Sequence, residues 1–153
     1  MEEFTRALRY AYLLLKYRRR SSYEVSFRLG RKGFSPLVVE KVLGLLRQQG
    51  YIDDESFVAE FVKDKLNKGW GKNKIYFILK NNLGLDETLI NEELNRVDTG
   101  EYYRRIRELI QRKLKNKGIS QANYEVKGKL FRYLIQRGFP IDDIKRALED
   151  ENG

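Results

Sequence analysis

The sequence contains no cysteine and no histidine, and it has only two prolines and one tryptophan. Without cysteine there is no disulfide, no thiolate nucleophile and no sulfur ligand for a metal ion. Without histidine, the commonest general base and zinc ligand are missing as well. No other set of converging catalytic side chains is evident and no cofactor is predicted, so the composition favours a binding protein over an enzyme.

Long hydrophobic segments are also lacking. The longest apolar run, around Tyr10 to Leu15, is far shorter than the ~20 residues that a membrane-spanning helix needs. Glu2 and Glu3 stand where a secretory signal peptide would carry positive charge. We therefore expect a soluble, cytoplasmic protein.

Positive charge is abundant but unevenly placed. The net charge of +9 divides into +7 for residues 1–50, −3 for residues 51–100 and +5 for residues 101–153. Basic ends favour a polyanionic partner, either nucleic acid or an acidic protein surface, because such a field attracts anions over a long range. Ordinary solubilising charge is the alternative interpretation.

Helical periodicity dominates the chain. Gly and Asn separate segments with helical spacing, and no stretch alternates polar and apolar residues as a strand would. The pattern predicts an all-α fold, because apolar residues three or four positions apart share one face of a helix. In the first segment these residues are Phe4, Leu8, Ala11, Tyr12 and Leu15.

A search for internal similarity finds three copies of one pattern, in residues 27–43, 77–94 and 132–148. Each copy has an apolar helix end, a Gly and a following apolar residue, and the middle copy has one extra residue before its Gly. One more helix precedes each copy, over about residues 4–17, 54–68 and 101–117. We predict an elongated array of three tandem three-helix repeats that stack on one another. They are called repeat 1 (residues 4–50), repeat 2 (residues 51–97) and repeat 3 (residues 101–150).

The turn inside each repeat has a physical basis. Gly33, Gly84 and Gly138 can take the left-handed conformation that ends a helix. A capping signal then begins the next helix, with Ser35 before Pro36 in repeat 1. Repeat 2 has Asp86 before Glu87 at this place, whereas repeat 3 has Pro140.

Asp53 and Asp54 form an adjacent pair of carboxylates. A metal or acid–base site would need further converging ligands, and the sequence supplies none. Carboxylates at the start of a helix bind its free N–H groups and complement its dipole. We interpret the pair as the start of a helix, as we do Asp142 and Asp143 in repeat 3.

Four motifs follow one another along nearly the whole chain: Arg18-x-x-Ser21-x-x-Glu24-Val25-x-x-x-Leu29, Gly50-Tyr51-Ile52-Asp53-Asp54-x-x-Phe57, Gly69-x-Gly71-Lys72-x-Lys74-Ile75-x-x-x-Leu79 and Lys129-Leu130-x-Arg132-Tyr133-Leu134-x-x-Arg137-Gly138-Phe139. Each motif consists mainly of caps and core residues, but their order and spacing resemble the RecX family. Val58, Lys65 and the extra residue within Asn81-Asn82-Leu83 depart from the family pattern.

The resemblance implies a curved, all-helical regulator of the bacterial recombinase RecA that lies in the groove of the RecA–DNA filament. It implies a protein that restrains filament growth, ATP hydrolysis, strand exchange and stimulated repressor cleavage, and so acts in recombination, DNA repair and the SOS response. We expect a monomer without cofactors or metal, whose partner is the filament and whose direct contact with DNA is weak.

Three groups of basic residues are candidate contacts for the filament or DNA. Equivalent positions of the repeats predict a polar ridge of Arg31, Lys32, Asn81, Asn82, Gln136 and Arg137, extended by Arg28, Lys129 and Arg132. The other two groups are Arg18, Arg19 and Arg20 after the first helix, and Arg112, Lys113, Lys115 and Lys117 in repeat 3. Such side chains bind phosphate or carboxylate groups. The alternative is that they complement helix ends or face solvent.

Large aromatic side chains are predicted to serve mainly the core. Trp70, between two glycines, could pack between repeats or contact a partner. The predicted core residues are Phe57, Phe61, Phe77, Phe131 and Phe139.

A helix-turn-helix DNA-binding protein that acts without recombinase is the alternative function, because a short Gly turn between helices recurs. Scattered basic residues, instead of one basic recognition helix, argue against it.

Overall fold

The computed structural model describes residues 2–115, 118 and 122–152, with side chains up to residue 149. All regular structure in these residues is helical, which confirms the predicted all-α fold. None of the helices in this part of the chain is long and apolar enough to cross a membrane. The α-helices are α1 (Glu2–Tyr17), α2 (Ser22–Arg31), α3 (Pro36–Gln48), α4 (Asp54–Asn67), α5 (Lys72–Phe77), α6 (Glu87–Asn95), α7 (Thr99–Lys113), α8 (Tyr124–Gln136) and α9 (Ile141–Asn152).

In repeat 1 the sequence explains where α2 and α3 begin. The Ser21 side chain accepts a hydrogen bond from the Glu24 N–H group, and the Glu24 carboxylate accepts one from the Ser21 N–H group. Ser35 caps α3 by accepting from Val38 N–H, with Pro36 in the first turn, which confirms that capping prediction. These bonds satisfy donors that the start of a helix leaves without partners.

The chain forms two compact units, and the division between them passes through repeat 2. Unit 1 comprises Met1–Glu60 with Leu79–Ile90, and unit 2 comprises Phe61–Ile78 with Asn91–Gly153. Each unit therefore contains one end repeat together with part of repeat 2.

Each unit has its own hydrophobic core. In unit 1, α1 packs against α2 and α3, and in unit 2, α7 packs against α9. A fully buried aliphatic side chain contributes about 1.5–3 kcal/mol relative to an exposed one. The buried residues of the first core are Ala7, Ala11, Val25, Leu29, Val39, Val42, Leu43, Leu46 and Ile52. Those of the second are Tyr102, Ile106, Ile110, Leu114, Leu130, Leu134, Phe139, Ile144 and Ala147.

The extra residue of repeat 2 is accommodated as a π-helical turn. Helix α5 continues directly into this turn, which spans Ile78–Asn82. The residue after the repeat Gly closes the turn by donating to a carbonyl five positions back in repeats 1 and 3, as Phe139 does to Leu134. In repeat 2, Leu85 donates to Leu79, six positions back. Inserting one residue into a helix commonly produces a π-bulge, so the local shape of repeat 2 differs from that of repeats 1 and 3.

Repeats 1 and 2 meet where the start of α2 lies on the turn after the π segment. The Ser21 hydroxyl donates to the Leu83 carbonyl at 2.8 Å. The Tyr23 side chain lies so close to Gly84 that a Cβ atom there would be 2.1 Å from the ring. Gly84 also has a φ of +68°, so both space and backbone conformation require glycine.

Repeats 2 and 3 meet in an equivalent way, at the start of α5 and the end of α8. Gly71 N–H donates to the Arg137 carbonyl at 2.7 Å, and Asn73 N–H donates to the Gly138 carbonyl at 2.8 Å. The free N–H groups at the start of one helix are thus satisfied by carbonyls at the end of another. A Cβ atom on Gly138, whose φ is +98°, would lie 2.6 Å from the backbone nitrogen of Lys74.

One core prediction is wrong. Phe77 is 57% exposed. Ile75 and Leu79 are the buried positions of this segment, and a residue two positions from each lies on the opposite side of the helix. Phe139 is buried as predicted, whereas Phe57, Phe61 and Phe131 are half-buried. In repeat 3 the predicted helix over residues 101–117 ends earlier, at Lys113, and Lys117 lies outside the described residues.

Candidate interface for an anionic partner

Two of the three arginines in the turn after α1 bind groups within the protein. Arg18 forms an ion pair with Glu24, and Arg20 approaches the same carboxylate at 3.8 Å. The Arg20 Nε–H group also donates to the Leu14 carbonyl in the last turn of α1, at 3.2 Å. Burial, together with the positive charge of Arg18, lowers the pKa of Arg20. Arg18 and Arg20 therefore stabilise the connection between α1 and α2.

Arg19 is more available than its two neighbours. It pairs with Glu60 at 3.3 Å, and both side chains are mostly exposed. An exposed pair of this kind contributes only about 0–1 kcal/mol, so a polyanion could displace the carboxylate at little cost.

The end of α2 carries three exposed cations, Arg28, Arg31 and Lys32, here called the α2 set. None of them has a carboxylate partner among the described residues. The Arg31 guanidinium lies 5.8 Å from the centre of the Phe27 ring, and the Lys32 ammonium lies 5.2 Å from that of Tyr10. Contacts with aromatic faces orient the cations without neutralising them.

Two aromatic residues beside the α2 set were not identified from the sequence. Tyr23 and Phe27 are each about half exposed, and their rings stack with centroids 6.2 Å apart. The signal was present, because Tyr23, Phe27 and Arg31 follow one another at intervals of four residues. Val25 and Leu29, two positions away, occupy the buried side of the same helix.

Among the predicted contact residues of repeat 3, Arg112, Lys113 and Arg132 are free cations, here called the α7–α8 set. All three are exposed, and none has a carboxylate partner in the described part of the chain. The Lys113 ammonium lies 4.1 Å from the centre of the Tyr133 ring. Lys129 differs, because it approaches Glu125 at 3.8 Å on the exposed face of α8.

Arg137, a predicted contact residue, binds backbone groups within the protein. Its guanidinium donates to the carbonyls of Lys68 and Gly69, at 2.6 and 2.8 Å. These carbonyls lie just beyond the end of α4, where helices leave acceptors without partners. Arg137 is thus a structural cation of the contact between repeats 2 and 3.

A cleft of about 420 Å³ adjoins Arg137, between α7, α8 and the end of α4. Most of its cations are also engaged. Arg104 bonds to Glu101 and Glu108, and Lys68 pairs with Asp64 at 3.2 Å. The cleft is lined by Leu66, Asn67, Lys68, Gly69, Glu101, Arg104, Arg105, Glu108, Leu109, Arg112, Tyr133 and Arg137.

The members of the predicted polar ridge are exposed, with the exception of half-buried Arg137. Arg31, Lys32, Asn81 and Asn82 belong to unit 1, and Gln136 belongs to unit 2. The ridge as a whole stays a prediction.

Asp53 and Asp54 have separate structural roles. Asp53 accepts from the N–H and hydroxyl groups of Ser56, which confirms that it caps α4. These hydrogen bonds lower the pKa of Asp53. Asp54 instead accepts from the N–H and hydroxyl groups of Ser22, at 2.9 and 2.6 Å, and so fixes the start of α2. In the described residues no group of His, Cys, Asp or Glu has the arrangement of a metal site.

Trp70 packs within unit 2. It meets Phe61 edge-on at 6.1 Å between ring centres, and the ammonium groups of Lys65 and Lys74 lie 4.9 and 4.1 Å from its ring. The ring is half-buried, so packing accounts for most of its surface.

Models of known protein families match two parts of this chain. The model of the first three-helix domain of RecX matches residues 7–51, and that of the third matches residues 100–148. The chain belongs to the RecX family. Regulatory protein RecX of Clostridium botulinum, strain Alaska E43, is 30% identical over 128 residues, which are 83% of this chain and 59% of that protein. Regulatory protein RecX of Bacillus licheniformis is 30% identical over 148 residues, which are 96% of this chain and 54% of that protein.

Solved RecX structures share the fold. The crystal structure of RecX from Lactobacillus salivarius aligns with a TM-score of 0.86 and 18% identity, over 97% of this chain and 96% of that one. A second RecX crystal structure aligns with a TM-score of 0.81 and 20% identity, over 96% of this chain and 73% of that one.

The Clostridium botulinum and Bacillus licheniformis relatives are both named regulatory proteins, and this chain spans less than two thirds of the length of each. The α2 set lies in the segment that matches the first RecX domain, and the α7–α8 set in the segment that matches the third.

Proposed function

We propose that this protein binds the filament that RecA forms on DNA and restrains it. In this proposal it limits filament extension, ATP hydrolysis, strand exchange and the stimulation of repressor cleavage. It acts as a monomeric binding protein in the cytoplasm, without cofactor or reaction of its own. Membership in a family of regulatory proteins supports the regulatory role, and the resemblance of its motifs supports RecA as the target.

The observation that carries the proposal is the α2 set. Its members Arg28, Arg31 and Lys32 are exposed, have no carboxylate partner among the described residues and lie within one turn of helix. Free cations concentrated in this way suit phosphates or acidic side chains of a filament, because no internal ion pair has to break first. Arg18, Arg20 and Arg137 suit it less, since their guanidinium groups already bind within the protein.

The test measures ATP hydrolysis by recombinase on single-stranded DNA with and without this protein. We expect inhibition by the unaltered protein, and inhibition weakened about tenfold or more by Arg28→Glu, Arg31→Glu and Lys32→Glu together. The matched control reverses Lys16, Lys41 and Arg47, three exposed cations of the same unit that also lack carboxylate partners within the described part of the chain. Both triple variants change the net charge equally, so a difference between them reports position.

Equal inhibition by the two triple variants, with helix content retained, would rule out the α2 set as the filament contact. No effect of the unaltered protein on hydrolysis would contradict the proposed function itself. Binding to duplex DNA that survives moderate salt without recombinase would instead favour the helix-turn-helix interpretation.

A further inference from the structure

Helix α2 presents two stacked aromatic rings to solvent. Tyr23 and Phe27 are 50% and 51% exposed, and their rings are within 19° of parallel. Soluble proteins usually bury rings of this size, because exposing them to water is unfavourable. The pair therefore needs an explanation beyond the core, to which Val25 and Leu29 of the same helix already contribute.

Both rings are held in place by neighbouring groups. The Tyr23 ring lies against the backbone of Gly84, and the Ser21 hydroxyl bonds to the carbonyl of the preceding residue, Leu83. The Arg31 guanidinium lies over the Phe27 ring. Side chains already fixed in this way lose little conformational freedom when a ligand packs against their exposed parts.

The charge around the rings indicates the kind of ligand. The α2 set provides three cations, whereas the one acidic residue of the helix, Glu24, is bound by Arg18. Aromatic faces beside free cations are the combination that binds single-stranded nucleic acid, since bases stack on the rings and phosphates meet the cations. A purely apolar partner would gain nothing from three charges at the edge of its contact.

We propose that Tyr23 and Phe27 form a stacking site for an unpaired base of single-stranded DNA, with the α2 set binding the adjoining phosphates. Duplex DNA does not fit this site, because its bases are stacked on one another and their faces are hidden. The inference deepens the proposed filament regulator by giving it a direct nucleic-acid contact, and it is tested without recombinase.

The test compares two fluorescently labelled oligonucleotides of equal length and charge, one of thymidines and one of abasic sites, by anisotropy at low salt. We expect the unaltered protein to bind the thymidine strand more tightly. Phe27→Ala should weaken that binding on the order of tenfold, the loss of one base–aromatic stack. On the abasic strand, Phe27→Ala and the unaltered protein should bind equally.

Two variants complete the design. Phe27→Tyr keeps a ring and should retain the affinity. Phe77→Ala is the matched control, because Phe77 occupies the equivalent position of repeat 2 and is 57% exposed. No ring or cation lies against it among the described residues, and Asn81 stands where repeat 1 has Arg31. It should bind both strands like the unaltered protein.

Several results would overturn the stacking site: no binding of either oligonucleotide, equal binding of both by the unaltered protein, or an equal loss on both with Phe27→Ala. A loss of recombinase inhibition by Phe27→Ala with unchanged DNA binding would also overturn it and would mark the rings as a protein contact. A failure of the proposed function can be distinguished from these results, because it is measured by ATP hydrolysis in the presence of recombinase.

Discussion

Side chains of repeat 1 contact the turn of repeat 2, whereas the backbone of repeat 2 contacts the turn of repeat 3. In the first, the Ser21 hydroxyl and the Tyr23 ring lie on the turn at Gly84. In the second, N–H groups at the start of α5 donate directly to carbonyls around Gly138. A side chain can shift when its neighbour changes, whereas backbone in a helix start cannot. We therefore expect a substitution in the turn to be tolerated better at the contact between repeats 1 and 2 than at the contact between repeats 2 and 3.

We expect the greatest losses of stability from glycine to alanine substitutions in the two turns. Gly138→Ala would place a Cβ atom 2.6 Å from the Lys74 backbone nitrogen at a φ of +98°, so we expect a loss of about 4 kcal/mol or more. Gly84→Ala meets the Tyr23 side chain instead, and we expect about 2–3 kcal/mol. Urea unfolding followed by circular dichroism measures both losses.

A second substitution separates the clash at position 84 from the cost of its backbone conformation. Combining Gly84→Ala with Tyr23→Ala removes the clash, so the loss due to the alanine at position 84 should fall to about 1 kcal/mol, the cost of its left-handed conformation. Gly33→Ala is the reference for that cost alone, because nothing lies within 4 Å of its Cβ position at a φ of +95°. Equal losses at Gly33, Gly84 and Gly138 would contradict the distinction between the two contacts.

Arg137 and Arg132, two cations near the end of α8, should contribute differently to stability. Arg137→Ala removes two charged hydrogen bonds to the carbonyls of Lys68 and Gly69 and should cost about 2 kcal/mol of unfolding free energy. Arg132→Ala, at an exposed position without a carboxylate partner among the described residues, should change it by less than about 0.5 kcal/mol.

A conservative substitution of Arg137 tests its role in binding. If Arg137 acts only through the fold, Arg137→Lys should keep the charge, lose stability and leave recombinase inhibition unchanged at a temperature where the protein is folded. A loss of inhibition with unaltered stability would show instead that Arg137 contacts the partner.

Whether a feature could be predicted depends on how far apart its interacting residues lie in the sequence. The glycine turns, the Ser35 cap and the Asp53 cap all rest on neighbours within a few positions, so the local sequence was enough to predict them. Arg137 was different, because its acceptor at Lys68 lies 69 positions away. Asp54 and Ser22, 32 positions apart, show the same limit.

The sequence predicted that the candidate site consists of basic residues, but it did not predict which basic residues. Basic residues were evident from composition, but which of them remain free depends on Glu24, Glu60 and distant carbonyls. Phe77 is exposed because it lies two positions from both Ile75 and Leu79, whose side chains point into the core. The same phase argument, applied to α2, would have found Tyr23 and Phe27.

The smallest expected effect concerns a buried hydroxyl at the contact between repeats 2 and 3. Tyr102 is 1% exposed, donates to Asp143 at 2.8 Å and accepts from Lys72 N–H at 3.5 Å. Tyr102→Phe should therefore cost about 1–2 kcal/mol at neutral pH. Ser21→Ala, which removes the buried hydroxyl of the other contact, provides the comparison and should cost a similar amount.

Alkaline pH distinguishes these two hydroxyls. Burial, followed by the charge of Asp143, raises the pKa of Tyr102 above its ordinary value. The folded state thus retains a proton that the unfolded chain releases above about pH 10, and stability falls by up to about 1.4 kcal/mol per pH unit beyond it. Tyr102→Phe lacks this loss, so its deficit relative to the unaltered protein should shrink above pH 10, whereas the deficit of Ser21→Ala should stay constant. The nine other tyrosines are shared by both proteins and cancel in the difference. A Tyr102→Phe deficit that is constant from pH 7 to about pH 11 would mean that the hydroxyl ionises as easily in the folded chain as in the unfolded one.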